Sequence, residues 1–264
     1  MQQRDEEYTP PGSELGISEV GDGDRRVVFV HGVLDRGQAF DRVAAHLGHE
    51  CRMVWYDRRG YGASIGLRGS PATIDVHIDD LLTILDDRPA TLVGHSFGGV
   101  TALGAAARAP KSVQSVVLYE TNIAWVPGWD DGAMSAVHAQ ADPEDAALQL
   151  MLGPAYNRMT SRDRTRRRAE ARAFLTEEQS VRDTVPYDLE RIRAPVVYGQ
   201  GDDIIMPMVV DFLATKIAGF EFVSMPGATH HAHRSHPHEF ANLIRRTLAI
   251  TGRDKPSSPD HAGP

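Results

Sequence analysis

Short apolar runs rich in β-branched residues recur along the chain, at 15–20, 27–30, 52–56, 91–93, 115–119, 196–198 and 221–225. Their length and composition predict strands. Longer stretches between them carry apolar residues at helical spacing. In 74–85, residues Ile74, Ile78, Leu81, Leu82 and Leu85 fall near one face. In 237–251, Phe240, Leu243, Ile244 and Leu248 do the same, after a proline that a first helical turn tolerates. The stretch 97–108 is small and Ala-rich, which permits close packing. Such alternation predicts an α/β fold of βα units around a mostly parallel sheet. Between the first two runs, Gly21-Asp22-Gly23-Asp24 predicts a hairpin turn, and so a mixed sheet at that edge.

One region breaks the rhythm. From 122 to 192 no strand pattern stands out, only helical fragments such as 144–152 and 161–175. That is too long for a structureless loop within a domain, and predicts a helical cap over one end of the sheet. The expected organisation is a flexible arm at 1–13, a core made of 14–121 and 193–252, the cap at 122–192, and a disordered tail at 253–264.

Composition narrows the function classes. A chain of 264 residues with 41% hydrophobic and 24% charged residues can bury a core, which excludes wholesale disorder. The formal net charge of −8 argues against a nucleic-acid partner. Cys51 is the only cysteine, so an intramolecular disulfide and a cysteine-based metal site are both excluded. The first residues lack the apolar segment of a secretory signal, and no run approaches the ~20 apolar residues of a membrane span. A cytoplasmic protein without membrane contact is the expectation; oligomeric state is left open.

The strongest chemical signal is Gly94-His95-Ser96-Phe97-Gly98-Gly99, lying between the run 91–93 and the Ala-rich helix. A serine on a sharp strand-to-helix turn has a strained backbone, so the residues two before and two after must be small. Gly94 and Gly98 meet that need. The following helix N-terminus offers N–H groups to developing negative charge. The plain alternative is a Gly-rich turn with an incidental serine.

With this motif the chain resembles the α/β-hydrolase superfamily, serine esterase or lipase-like and capped, over nearly its whole length. The resemblance implies an eight- or seven-stranded sheet with helices on both faces and the cap inserted after the strand the family counts as its sixth. Val28-Phe29-Val30-His31-Gly32-Val33 is similar to the family's strand ending in His-Gly, which makes Val33 and Phe97 the expected oxyanion-hole donors. Asp57-Arg58-Arg59-Gly60-Tyr61-Gly62-Ala63-Ser64 resembles a turn that is structural in the family.

A serine nucleophile needs a base, and the base needs an orienting acid. Pro226-Gly227-Ala228-Thr229-His230 resembles the segment that carries the family's histidine, with Thr229 standing where a smaller residue is usual. Ala232-His233 completes that register and favours His230 over His231 as the base. For the acid, counting from Gly199 in Val196-Val197-Tyr198-Gly199-Gln200-Gly201-Asp202-Asp203 selects Asp202, while counting back from Pro207 selects Asp203. Asp202 is preferred because the strand-to-loop count is nearer the chemistry. Glu120, ending the run 115–119, is a third candidate; its plain reading is a pocket-lining or ion-paired carboxylate.

Three other features need weighing. Five histidines fall within 230–238, but no H-E-x-x-H spacing or carboxylate set accompanies them, so no metal and no cofactor is expected. Arg158, Arg162, Arg164, Arg166, Arg167, Arg168 and Arg172 crowd the expected cap. With Asp163, Glu170, Glu177 and Glu178 among or after them, a solvated helix face is the expectation. Trp125 and Trp129 open the cap and either line an acyl pocket or anchor the insertion.

The resemblance implies a serine hydrolase with the triad Ser96, His230 and Asp202, cleaving a carboxylic ester or related small acyl substrate through an acyl-enzyme. C–C bond hydrolases, lactonases, thioesterases and cofactor-free perhydrolases share that triad and stay open. Serine at 96 argues against the dehalogenase and epoxide-hydrolase branches, which place Asp there. A ligand-binding pseudoenzyme and a lyase using the same base are the alternatives of other classes.

Overall fold

The computed structural model describes residues 14–68, 71–182, 184–202 and 206–252. The expected arm and tail, and Asp203, lie outside the described residues. In chain order the core begins with β1 (Ile17–Val20), β2 (Arg25–Val30), α1 (Asp41–Leu47), β3 (Cys51–Tyr56), α2 (Ile74–Leu85) and β4 (Ala90–His95). Next come α3 (Phe97–Arg108) and β5 (Val113–Tyr119), then four helices in succession: α4 (Gly132–His138), α5 (Pro143–Leu152), α6 (Pro154–Asn157) and α7 (Ser161–Arg182). The core resumes with β6 (Val196–Gln200), α8 (Pro207–Lys216), β7 (Phe220–Ser224), α9 (Ala232–Ser235) and α10 (Pro237–Gly252).

The seven strands run in the order β1-β3-β2-β4-β5-β6-β7. All neighbours are parallel except β1 and β3. The mixed edge is therefore present, but the expected hairpin is not. Both sides of β2 are taken, by β3 and β4, so the chain leaves β1, skips one position, and β1 pairs with β3 through Ile17 opposite Tyr56. The Gly21–Asp24 segment changes direction without joining paired strands.

Alternation along the strands builds two cores, because successive side chains point to opposite faces. Val28, Val30, Leu92 and Val116 pack with Ile74, Ile78 and Leu81 of α2 and with Val100 and Leu103 of α3. Val27, Phe29, Val93 and Val117 pack on the other face with Val43 of α1 and Phe240 and Ile244 of α10. The periodic helices 74–85 and 97–108 appear with those bounds. α3 is buried through nearly its whole length, which its small residues allow.

Helices α4 to α7 carry a third, smaller cluster of Val137, Ala147, Leu148, Tyr156, Ala171 and Phe174. Val33 and Leu34, just beyond β2, pack against it. α7 runs on to Arg182, past the expected end at 175. Its extra turns are charged, but Arg182 pairs with Glu178 one turn earlier and Glu177 is wholly buried, so polar residues extend the helix through specific partners.

Candidate active site

Ser96 sits between the last residue of β4 and the first of α3 with φ +51°, in the region L-residues rarely adopt. Its N–H donates to the carbonyl of Tyr119 at 2.9 Å, and its carbonyl accepts from Gly99 at 2.9 Å. The glycines around it are required by contact. A Cβ on Gly94 would stand 2.4 Å from Gly99 Cα, and one on Gly98 only 2.0 Å from the Val30 carbonyl oxygen. The turn therefore presses against β2, and its side chain faces a cavity of about 800 Å3 lined by Val33, Ser96, His95, His230, Leu152 and Arg167 among others.

His230 enters that cavity from the loop between β7 and α9. Two main-chain bonds fix the loop: His95 Nε2 donates to the His230 carbonyl at 2.8 Å, and Tyr119 Oη donates to the Thr229 carbonyl at 2.9 Å. His230 Nδ1 lies 2.7 Å from Glu120 Oε2. Glu120 is fully buried, has φ +43°, and accepts a second bond on Oε1 from the Gly201 N–H at 2.8 Å. Its main chain also continues the sheet, donating to the Gly199 carbonyl at 3.1 Å.

Among the described residues, then, the carboxylate brought to the His230 ring is Glu120, and the preference for Asp202 is corrected. Asp202 is exposed and its Oδ2 accepts from the Gly227 N–H at 2.6 Å, which ties its loop to the next one. The signal in the sequence was the spacing: the segment from Gly199 to Pro207 is one residue longer than the family pattern. Tyr119 pairs with Gly199 in the sheet, so Glu120 and Asp202 follow adjacent strand ends, and either position could supply an acid.

The loop 31–37 after β2 faces Ser96 through Val33 and is held by side chains far away in sequence. His31 Nε2 accepts from the Arg58 N–H at 2.8 Å, so His31 carries its proton on Nδ1 and donates it to the Gly32 carbonyl at 2.7 Å. Burial, then the neighbouring Arg58 charge, pushes the imidazole pKa down to about 3, so the ring is neutral. The Arg58 guanidinium donates to the carbonyls of His31 (2.9 Å) and Gly32 (3.2 Å). It pairs with Glu177 of α7, Nη1 to Oε1, at 2.5 Å, with both side chains fully buried. Tyr61 Oη donates to Glu177 at 2.8 Å, and His77 Nε2 lies 2.7 Å from it. Burial pushes the Glu177 carboxyl up, yet Arg58 and His77 outweigh it and hold it below the usual range.

Two turns earlier on α7, the buried Glu170 contacts Arg36 at 2.8 Å and Arg167 at 2.7 Å. Arg167 Nη2 in turn donates to the carbonyl of Leu34 at 2.6 Å, and Leu34 has φ +53°. Glu170 and Glu177 are thus not on a solvated face, as the charge pattern suggested. Arg168 and Arg172 do lie outward, paired with Asp142 and Glu144. Trp125 packs edge-on to Tyr187, 5.4 Å between centroids, and both tryptophans lie against the α2–α3 core, an anchoring position.

Histidine nitrogens gather here too. His95, His230 and His231 place ligand atoms within 4.8 Å of one another, as do Asp35, His95 and His233. Several of these atoms are already committed: His95 Nε2 to the His230 carbonyl, His230 Nδ1 to Glu120, and His233 Nε2 to Asp35. Burial above all, then the neighbouring histidines, depresses the His95 pKa well below the ordinary value. At Asp35 burial pushes up, but the His233 hydrogen bond and the Arg234 charge prevail and hold it well below the carboxylate range.

A strained serine at a strand–helix turn, facing a histidine–carboxylate pair, on this sheet order, defines an α/β hydrolase. Residues 27–243 match the family described as "Alpha/beta hydrolase family", and the chain belongs to it. It is similar to the serine hydrolase BPHL of Mus musculus, 26% identical over 252 residues, covering 90% of this chain and 84% of that one. Similarity to Lipase LipV of Mycobacterium tuberculosis is 38% over 105 residues and spans 39% of each chain. A thermophilic esterase from Thermogutta terrifontis superposes with a TM-score of 0.71 at 18% identity, covering 94% of this chain and 99% of that one. The enol-lactonase from Burkholderia xenovorans LB400 gives 0.68 at 22% identity, over 91% and 98%. At those identities the solved structures bear on the fold alone. Among the described residues no helix is long and apolar enough to cross a membrane.

Proposed function

We propose that the protein is a serine hydrolase acting on a carboxylic ester or a related small acyl compound. Ser96 attacks the carbonyl carbon while His230 takes its proton. Glu120 holds the imidazole in the tautomer with its proton on Nδ1 and stabilises the imidazolium that forms. The N–H groups of Val33 and Phe97 receive the oxyanion, Phe97 as the first residue of α3. His230 then passes its proton to the leaving alkoxide, and a water it activates hydrolyses the acyl-enzyme.

The observation that carries this reading is the 2.7 Å contact of His230 with a buried carboxylate, at the wall of the cavity that also exposes Ser96. The similar serine hydrolases and esterases support an ester substrate. A fluorophosphonate probe and a short activated ester test it. Wild type is expected to be labelled once and to turn over the ester, and Ser96→Ala to do neither. Unchanged turnover in Ser96→Ala would overturn the assignment, and saturable ligand binding without labelling would favour a binding protein.

A further inference from the structure

The cavity that holds Ser96 is lined with charge of the opposite sign to the chain. The protein has a formal net charge of −8, yet Arg36, Arg42, Arg167 and Arg234 face this cavity against only Asp35 and Asp41. Their pairings leave a remainder. Arg234 is matched by Asp35, whose ionised form is held firmly. Arg36 and Arg167 share a single carboxylate, that of the buried Glu170. Arg42, exposed on α1, donates at 3.1 Å to a neutral acceptor, the carbonyl of Arg234. Among the described residues, Arg42 is therefore the guanidinium of this wall that meets no carboxylate.

Val33, Leu34, Met151 and Leu152 line the same cavity. A second cavity of about 980 Å3 adjoins it and shares Arg36, Gln38, Leu152 and Arg167 as a common wall, so an elongated molecule has room beyond the serine. Guanidinium groups match planar oxyanions with two parallel hydrogen bonds, more strongly where water is partly excluded.

We propose that the preferred substrates carry a carboxylate a few carbons from the scissile carbonyl: half-esters or lactones derived from dicarboxylic acids, with the free carboxylate held by Arg42 and Arg36. A single guanidinium without a carboxylate partner suits a monoanionic carboxylate better than a dianionic phosphate. This rests on the serine hydrolase reading for its chemistry, but the anion site stands or falls separately.

Two measurements separate them. Ser96→Ala is titrated with monomethyl glutarate and with neutral dimethyl glutarate, so binding is read without turnover. The monoanion is expected to bind at least about tenfold more tightly, and Arg42→Gln in that background to remove most of the difference, as would 0.5 M salt. With the active enzyme, kcat/KM for mono-p-nitrophenyl glutarate should exceed that for p-nitrophenyl valerate by a similar factor. Arg42→Gln should lower the first and leave the second unchanged, with Arg42→Lys intermediate; a phosphate-bearing ester of equal length should be the poorer anionic substrate. Equal binding of the two glutarates, or an equal effect of Arg42→Gln on charged and neutral esters, overturns the proposal. A binding preference without turnover or labelling in the wild type would instead sink the hydrolase reading and leave the anion site in place.

Discussion

Glu120 and His230 meet at 2.7 Å although 110 residues separate them, and both are held by main-chain bonds on either side. Oε1 of Glu120 takes the Gly201 N–H while Oε2 faces the ring, so both acceptor positions have defined work. Glu120→Gln can keep the first bond through its oxygen but then points an NH2 group at Nδ1, forcing the proton onto the nitrogen that must act as base. A loss in kcat on the order of 10³–10⁴ is expected for ester hydrolysis, with the melting temperature close to wild type. Asp202→Asn should stay within about threefold, since Asp202 serves the Gly227 N–H. Kinetics of Glu120→Gln, Asp202→Asn and Asp203→Asn side by side decide the acid. A larger loss in either aspartate variant would reassign it.

Much of this site could be read from the chain, and the unread parts share one physical cause. Ser96 was legible because local backbone strain demands glycines at fixed offsets, whereas His230 stood out through the resemblance of 226–233 to the family's histidine segment. The strands were legible because β-branched runs alternate with periodic helices. Glu120 was visible only as a third candidate behind Asp202 and Asp203, because which of two adjacent strand ends supplies an acid depends on where the loops turn. The pairing of β1 was hidden for a similar reason: a turn signal says that the chain reverses, not which strand it lies beside. Glu170 and Glu177 were hardest. A carboxylate on an Arg-rich helix reads as solvated until its distant partner is known, Arg36 for Glu170 and Arg58 for Glu177.

The Arg58 partner makes Glu177 a sensitive position for stability. Arg58 and Glu177 are both without exposure, so removing one charge strands the other in a medium that solvates it poorly. Glu177→Gln is expected to lower the unfolding free energy by about 3–5 kcal/mol, read from urea denaturation. Glu190→Gln, which breaks the exposed contact with Lys216, should leave the transition where it is. Pairing Glu177→Leu with Arg58→Leu should recover part of the loss, a coupling that a double-mutant cycle measures. Strict additivity of the two would show that the pair does not hold the turn to α7.

The contact from Arg167 to the Leu34 carbonyl makes a different demand, on catalysis rather than stability. Leu34 follows the proposed oxyanion donor Val33 and sits at φ +53°, a conformation that needs outside support. Arg167→Met removes that support while Glu170 keeps Arg36 as a partner. With a neutral ester, kcat is expected to fall between about 10- and 100-fold with KM little changed, because a small misplacement of a donor costs transition-state binding. Affinity for a trifluoromethyl ketone, which mimics the tetrahedral intermediate, should fall in parallel, and Arg167→Lys should recover part of both. A rise in KM alone would assign Arg167 to substrate binding and not to positioning.

Acid is expected to weaken the fold through its buried histidines. His31 is neutral in the folded chain because it is buried beside Arg58 and its Nε2 must accept the Arg58 N–H. Its folded pKa of about 3 lies below the ~6.5 of an unfolded histidine, so between these values the unfolded chain binds the extra proton. Stability from this residue is therefore complete above about pH 6.5, falls as pH drops through the window, and is exhausted near pH 3. One such group contributes a slope of about 1.4 kcal/mol per pH unit in the middle of that range. His77, His95 and His233 are shifted in the same direction by burial and add to it. Unfolding free energies between pH 7.5 and 4.5 should thus decline from about pH 6.5 downward, well before carboxylates begin to protonate. His31→Gln, whose side-chain oxygen can still accept the Arg58 N–H, should start lower at neutral pH but decline with a slope shallower by about one proton. An unchanged slope in that variant would mean that His31 does not carry the acid sensitivity of the fold.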